Sequence, residues 1–97
     1  MKLEPGKIET IKNYFRTKPV LRAYLFGSYS RKEAGDDSDI DILVELDHSK
    51  PIGLRFFEFQ EELQELLGKE VDLVTDEGLS KFIRPYIEQD KILIYER

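Results

Sequence analysis

Cysteine is absent from the 97 residues, which excludes a disulfide framework and a thiolate metal site. Long apolar runs are missing as well. The opening MKLEPGKIET carries no apolar signal segment, and no later stretch approaches membrane-spanning length. These absences lead to the expectation of a cytoplasmic protein without membrane contact. Positive charge is in short supply: the chain has 15 Lys and Arg against 20 Asp and Glu, a formal net charge of −5. Proteins held on nucleic acid by their own charge concentrate Lys and Arg, so no direct nucleic-acid binding is expected. An acidic chain handles polyphosphates only if metal ions or local cations supply positive charge. Like-charge blocks, low-complexity tracts and internal repeats are also missing. What is present is 40% hydrophobic and 36% charged. The length suits one compact domain with a real core, so residues 1–97 are read as a single domain.

Apolar spacing lays out the elements. Ile8, Ile11 and Phe15 recur at helical intervals between Pro5 and Arg16. KPVLRAYLF reads as a strand, with Pro19 at the break and Gly27 at its end. SYSRKEA reads as a short helix with Ser28 as N-cap, and GDDS as a turn. DIDILVEL is the clearest strand: Ile40, Ile42, Val44 and Leu46 share one face, Asp39, Asp41, Leu43 and Glu45 the other. The longest helix is expected from Leu54 to Leu67, with a core stripe of Phe56, Phe59, Leu63, Leu66 and Leu67 and a stop at Gly68. EVDLVT is a third strand. Leu79, Phe82, Ile83, Tyr86 and Ile87 return to helical spacing, and Pro85 is expected to divide that helix into two short pieces. KILIYE closes the chain as a strand. The alternation of helix and strand predicts an α/β (α+β) fold, a small mixed sheet flanked by helices.

Asp is a residue that strands avoid, yet Asp39 and Asp41 lie two apart on the best strand, so both carboxylates project from one face. At that range they repel unless protonated or bridged by a cation, and Mg²⁺ is the natural match for oxygen ligands. Asp72 interrupts the apolar strand EVDLVT. If that strand pairs beside the first, three carboxylates can hold two metals, an arrangement suited to in-line displacement at phosphorus. Gly27 and Ser28 stand where a strand feeds a helix, a place that favours an anion. Arg31, one turn on, reads as a partner for phosphate or carboxylate. Ser38 is read as a turn residue that shapes the approach to the aspartates. Three rival motifs fail. A calcium loop starting at Asp37 would need Gly at Ile42 and Glu at His48, and neither the P-loop nor the dinucleotide fingerprint follows Gly27. His48, the single histidine, reads as a solvated loop residue, and Glu45 lies too far along its strand to join the aspartates. Phe57 is expected to be partly buried against a loop, and Tyr24, Tyr29, Tyr86 and Tyr95 to be packing residues.

GSYSR followed by SDIDILV resembles the signature of the polymerase-β-like nucleotidyltransferases: glycine-serine-x-x-arginine, then serine-aspartate-x-aspartate. The third carboxylate falls at Asp72, where that family has it. From end to end the chain resembles the minimal nucleotidyltransferase (MNT) domains, commonly antitoxins paired with a HEPN-domain ribonuclease toxin. The resemblance implies that Asp39 and Asp41 bind two Mg²⁺ ions. It makes Asp72 a ligand of the catalytic ion, placed to help deprotonate the attacking hydroxyl. Gly27 and Ser28 would hold the β- and γ-phosphates of ATP. The implied activity is transfer of AMP to a hydroxyl, a tyrosine, on the partner toxin. The alternative is a catalytically silent antitoxin that neutralises by complex formation. A third reading has RNA or a small molecule as acceptor, supplied with a detached acceptor domain.

Overall fold

Ile11 and Phe15 lie four residues apart on α1 (Pro5–Arg16), and both are fully buried. Pro5 opens that helix, where its missing N–H costs nothing. The computed structural model describes residues 3–27, 29, 39–49 and 53–97. Apart from Tyr29, the expected helix over SYSRKEA and the GDDS turn, with Ser28, Arg31 and Ser38, lie outside the described residues. Four strands follow the expected order: β1 (Val20–Phe26), β2 (Ile40–Leu46), β3 (Val71–Thr75) and β4 (Ile92–Glu96). They form one sheet in the order β3-β2-β1-β4. β1 runs antiparallel to β2 and β4, while β2 and β3 are parallel and joined through α2 (Arg55–Leu67). The sheet is mixed, as the alternation predicts. Among the described residues, no helix is long and apolar enough to cross a membrane.

The pleat divides the sheet. Ala23, Leu25, Ile40, Ile42, Val44, Val71 and Leu73 turn inward and join Ile11, Phe15, Phe59, Leu63 and Leu67 in one core. Leu43 faces the other way, as expected, yet it is fully buried. Ile87 of α3 (Arg84–Asp90) is buried as well, and both lie outside the main cluster. The outer face is therefore partly roofed by α3, which the strand pattern alone did not suggest.

Four expectations need correction. Pro85 does not divide a helix. It sits in the first turn of α3, where the proline ring is preorganised. Ahead of it the chain turns about Ser80, whose carbonyl accepts from the N–H groups of Ile83 and Arg84 and whose Oγ accepts from Phe82 N–H. Leu66 is 55% exposed, because it lies about 60° from Leu63 on the helical wheel, on the side away from β3. Phe57, about 120° from Leu63, and Tyr86 are exposed rather than packed.

α2 ends at Gly68, whose left-handed backbone (φ 66°) lets its N–H return to the Gln64 carbonyl at 2.9 Å. The same helix also guards the sheet edge. Gln64 Oε1 accepts from Val71 N–H and Gln60 Oε1 from Leu73 N–H, each at 3.1 Å. Open strand edges invite pairing with other chains, and these two amides occupy the β3 edge. Replacing both with alanine is expected to cost about 2 kcal/mol, two hydrogen bonds at their usual net value. Urea denaturation measures the loss, and light scattering should show more self-association. An unchanged midpoint would mean that water replaces the amides without penalty.

Candidate active site

β2 and β3 are parallel and in register, with Asp41 directly opposite Asp72. Neighbouring parallel strands lie about 4.8 Å apart and directly paired residues project to the same side, so these carboxylates are adjacent on the outer face. Asp72 is exposed between buried Val71 and Leu73, and Asp41 is half-buried between Ile40 and Ile42. Asp39 is exposed, one pleat before Asp41. The N–H of the next residue, Ile40, donates to the Glu70 carbonyl at 2.9 Å, which ties the start of β2 to the approach of β3. The pairing on which the sequence argument was conditional is therefore present.

Gly27 follows β1 with φ 75°. A Cβ placed on it would run into the Asp41 carboxylate, its Cγ at 3.1 Å and its Oδ2 closer still. The bare backbone of the glycine makes room for the aspartate. Nothing in the one-dimensional spacing of Gly27 and Asp41 signals this contact. It follows from the antiparallel pairing of Phe26 with Asp41.

The rest of the outer face is ordered by polar contacts. Glu45 accepts from Tyr24 Oη at 2.8 Å and from Arg22 Nη1 at 3.3 Å, while Arg22 Nε donates to Glu96 at 3.0 Å. Burial, and then the hydrogen bond to Glu45, push the Tyr24 phenol up to about 12. Glu45 is thereby committed to a structural network, as its distance along the strand led us to expect. His48 is exposed and pairs with Glu77 at 2.8 Å, at the opposite end of β2 from Asp41. A cavity of about 290 Å³ lined by Val44, His48 and Asp76 lies at that far end. It has no part in the carboxylate pair.

The donors at Asp39, Asp41 and Asp72 are all carboxylate oxygens, the type that hard cations take. Among the described residues, no three His, Cys, Asp or Glu side chains close around a common point. An adjacent pair nonetheless fits Mg²⁺, which is usually held by one or two carboxylates together with substrate phosphates and water.

Residues 8–94 match the nucleotidyltransferase domain family, and the chain belongs to it. A Methanocaldococcus jannaschii relative, provisionally named a protein adenylyltransferase, is 40% identical over 85 residues, 87% of this chain and 83% of its own. The protein adenylyltransferase MntA of Thermococcus cleftensis is 41% identical over 70 residues, 72% of this chain and 70% of its own. A chain from a crystal structure of a toxin-antitoxin with AMP-PNP superposes with a TM-score of 0.80 at 25% identity. That match covers 93% of this chain and 73% of the other. The family resemblance carried by GSYSR and SDIDILV is borne out.

Proposed function

We propose that this chain acts as a single-domain, cytoplasmic antitoxin that transfers AMP from ATP to a tyrosine hydroxyl of a partner HEPN toxin, with Mg²⁺ required. The in-register pair Asp41–Asp72, with Gly27 shaped around Asp41, carries this reading. The protein adenylyltransferase names of its relatives support a protein acceptor.

Asp39, Asp41 and Asp72 would hold Mg²⁺, two ions by the family pattern, and Mg²⁺ when bound supplies charge neutralisation for the phosphates. Asp72 accepts the proton of the acceptor hydroxyl as its oxygen bonds to the α-phosphorus and the bond to pyrophosphate breaks. Gly27 admits the β- and γ-phosphates close to the backbone. Ser28 and Arg31 enter through the motif alone, as a hydroxyl donor and a guanidinium for phosphate. The partner's gain of AMP silences it.

The test is direct. The chain is purified with the product of its neighbouring gene, ATP and Mg²⁺ are added, and the partner's intact mass is read. Gain of one or more AMP units, absent with the Asp39→Ala/Asp41→Ala variant, is the expected result. A stable complex with an unmodified partner, checked for modification during expression, would instead favour neutralisation by masking.

A further inference from the structure

One cation of the outer face, Lys91, stands apart from the Arg22–Glu45–Tyr24 hydrogen bonds. Lys91 follows α3 in extended backbone (φ −66°, ψ 142°) and directly precedes β4. Ile92 pairs with Leu25, a core residue, so the pleat turns Lys91 to the outer face. Its Nζ lies there, 4.2 Å from the centroid of the Tyr24 ring. One step along β1 from Leu25 is Phe26, opposite Asp41, which is opposite Asp72. A row across the sheet runs Asp72, Asp41, Phe26, and Lys91, one residue beyond the last β1–β4 pair, Leu25–Ile92, stands next to its β1 end. About 10 Å, two strand spacings, separates Asp41 from Lys91 at the backbone.

The direction of this row matters chemically. In-line transfer places the attacking and leaving oxygens on opposite sides of the phosphorus. With the acceptor at Asp72 and the α-phosphorus at Asp41, the leaving group departs toward Phe26. We propose that Lys91 receives the pyrophosphate end of the nucleotide, a binding cation on the leaving-group side. This rests on the nucleotidyl-transfer reading above. Lys91 is held for the task. Its ammonium donates to Glu88 at 2.9 Å, its side chain is only 21% exposed, and it rests on the Tyr24 ring. An ammonium has three donors, so the Glu88 contact leaves others for phosphate oxygen. In a chain of net charge −5, a fixed cation there offsets repulsion of a polyanion.

The experiment titrates Mg²⁺–pyrophosphate into the full chain by calorimetry, for wild type, Lys91→Met and Lys91→Arg. Methionine keeps the packing on Tyr24 and removes the charge. It is expected to weaken binding about tenfold, the loss of one charge-assisted hydrogen bond, and arginine to restore most of it. Inhibition of AMP transfer by added pyrophosphate should weaken in parallel. Thermal melts verify that the variants fold. Equal affinity in wild type and Lys91→Met, or no binding by wild type, overturns the assignment. Binding that depends on Lys91 without any AMP transfer would count against the transfer reading and not against this one.

Discussion

Asp41→Asn is expected to cut AMP transfer about a thousandfold, near the upper end for removal of one preorganised electrostatic group. Asparagine keeps the shape of the side chain and removes one charge of a directly opposed like-charged pair, so the metal-free variant should still fold. Wild type should gain stability from Mg²⁺ and ATP together, and the variant should gain far less, because a ligand stabilises only the state it binds. Loss of transfer and of the ligand-induced gain in a variant that still folds identifies a residue kept for chemistry. Loss of both activity and stability would make Asp41 a structural residue.

The fold was legible wherever one periodicity governed a whole element. Ile11 and Phe15 on α1 and the alternation along β2 required no knowledge of what lay beside them. Legibility failed where burial depends on a neighbour that the spacing does not name. Leu66 belongs to the apolar stripe of α2 by composition, but its side chain is 55% exposed, whereas Phe59 on the same side is buried against Tyr14. Leu43 was placed among polar residues and is buried, because α3 roofs that part of the sheet. The apolar spacing from Leu79 to Ile87 suggested helix on both sides of Pro85, yet only Ile87 is buried on α3 and Phe82, Ile83 and Tyr86 stay exposed. The candidate site divides in the same way. Asp39 and Asp41 share a face by strand parity alone, whereas the placement of Asp72 needed the β2–β3 register. Lys91 drew no notice in the sequence, since only the fold sets it one residue beyond the β1–β4 ladder and against Tyr24.

Gly27→Ala should separate strain from function most sharply. The left-handed backbone at φ 75° costs any residue with a Cβ about 1–2 kcal/mol, a fall in melting temperature on the order of 10 °C for a domain of this size. Gly68 has nearly the same backbone, φ 66°, but nothing lies within 4 Å of a Cβ placed there. Gly68→Ala should therefore carry a similar stability cost. The two variants part at the active site. A methyl on Gly27 meets the Asp41 carboxylate, so either that side chain rotates away or the end of β1 withdraws from it. Displacement of a reacting group by about 1 Å commonly costs about a hundredfold in rate. AMP transfer, assayed at a temperature where all three proteins are folded, should fall by that amount in Gly27→Ala and stay near wild type in Gly68→Ala. If both variants lose activity only in proportion to stability, the contact between Gly27 and Asp41 is packing without catalytic consequence. A loss confined to Gly27→Ala would show that the glycine of the motif serves the aspartate across the strand.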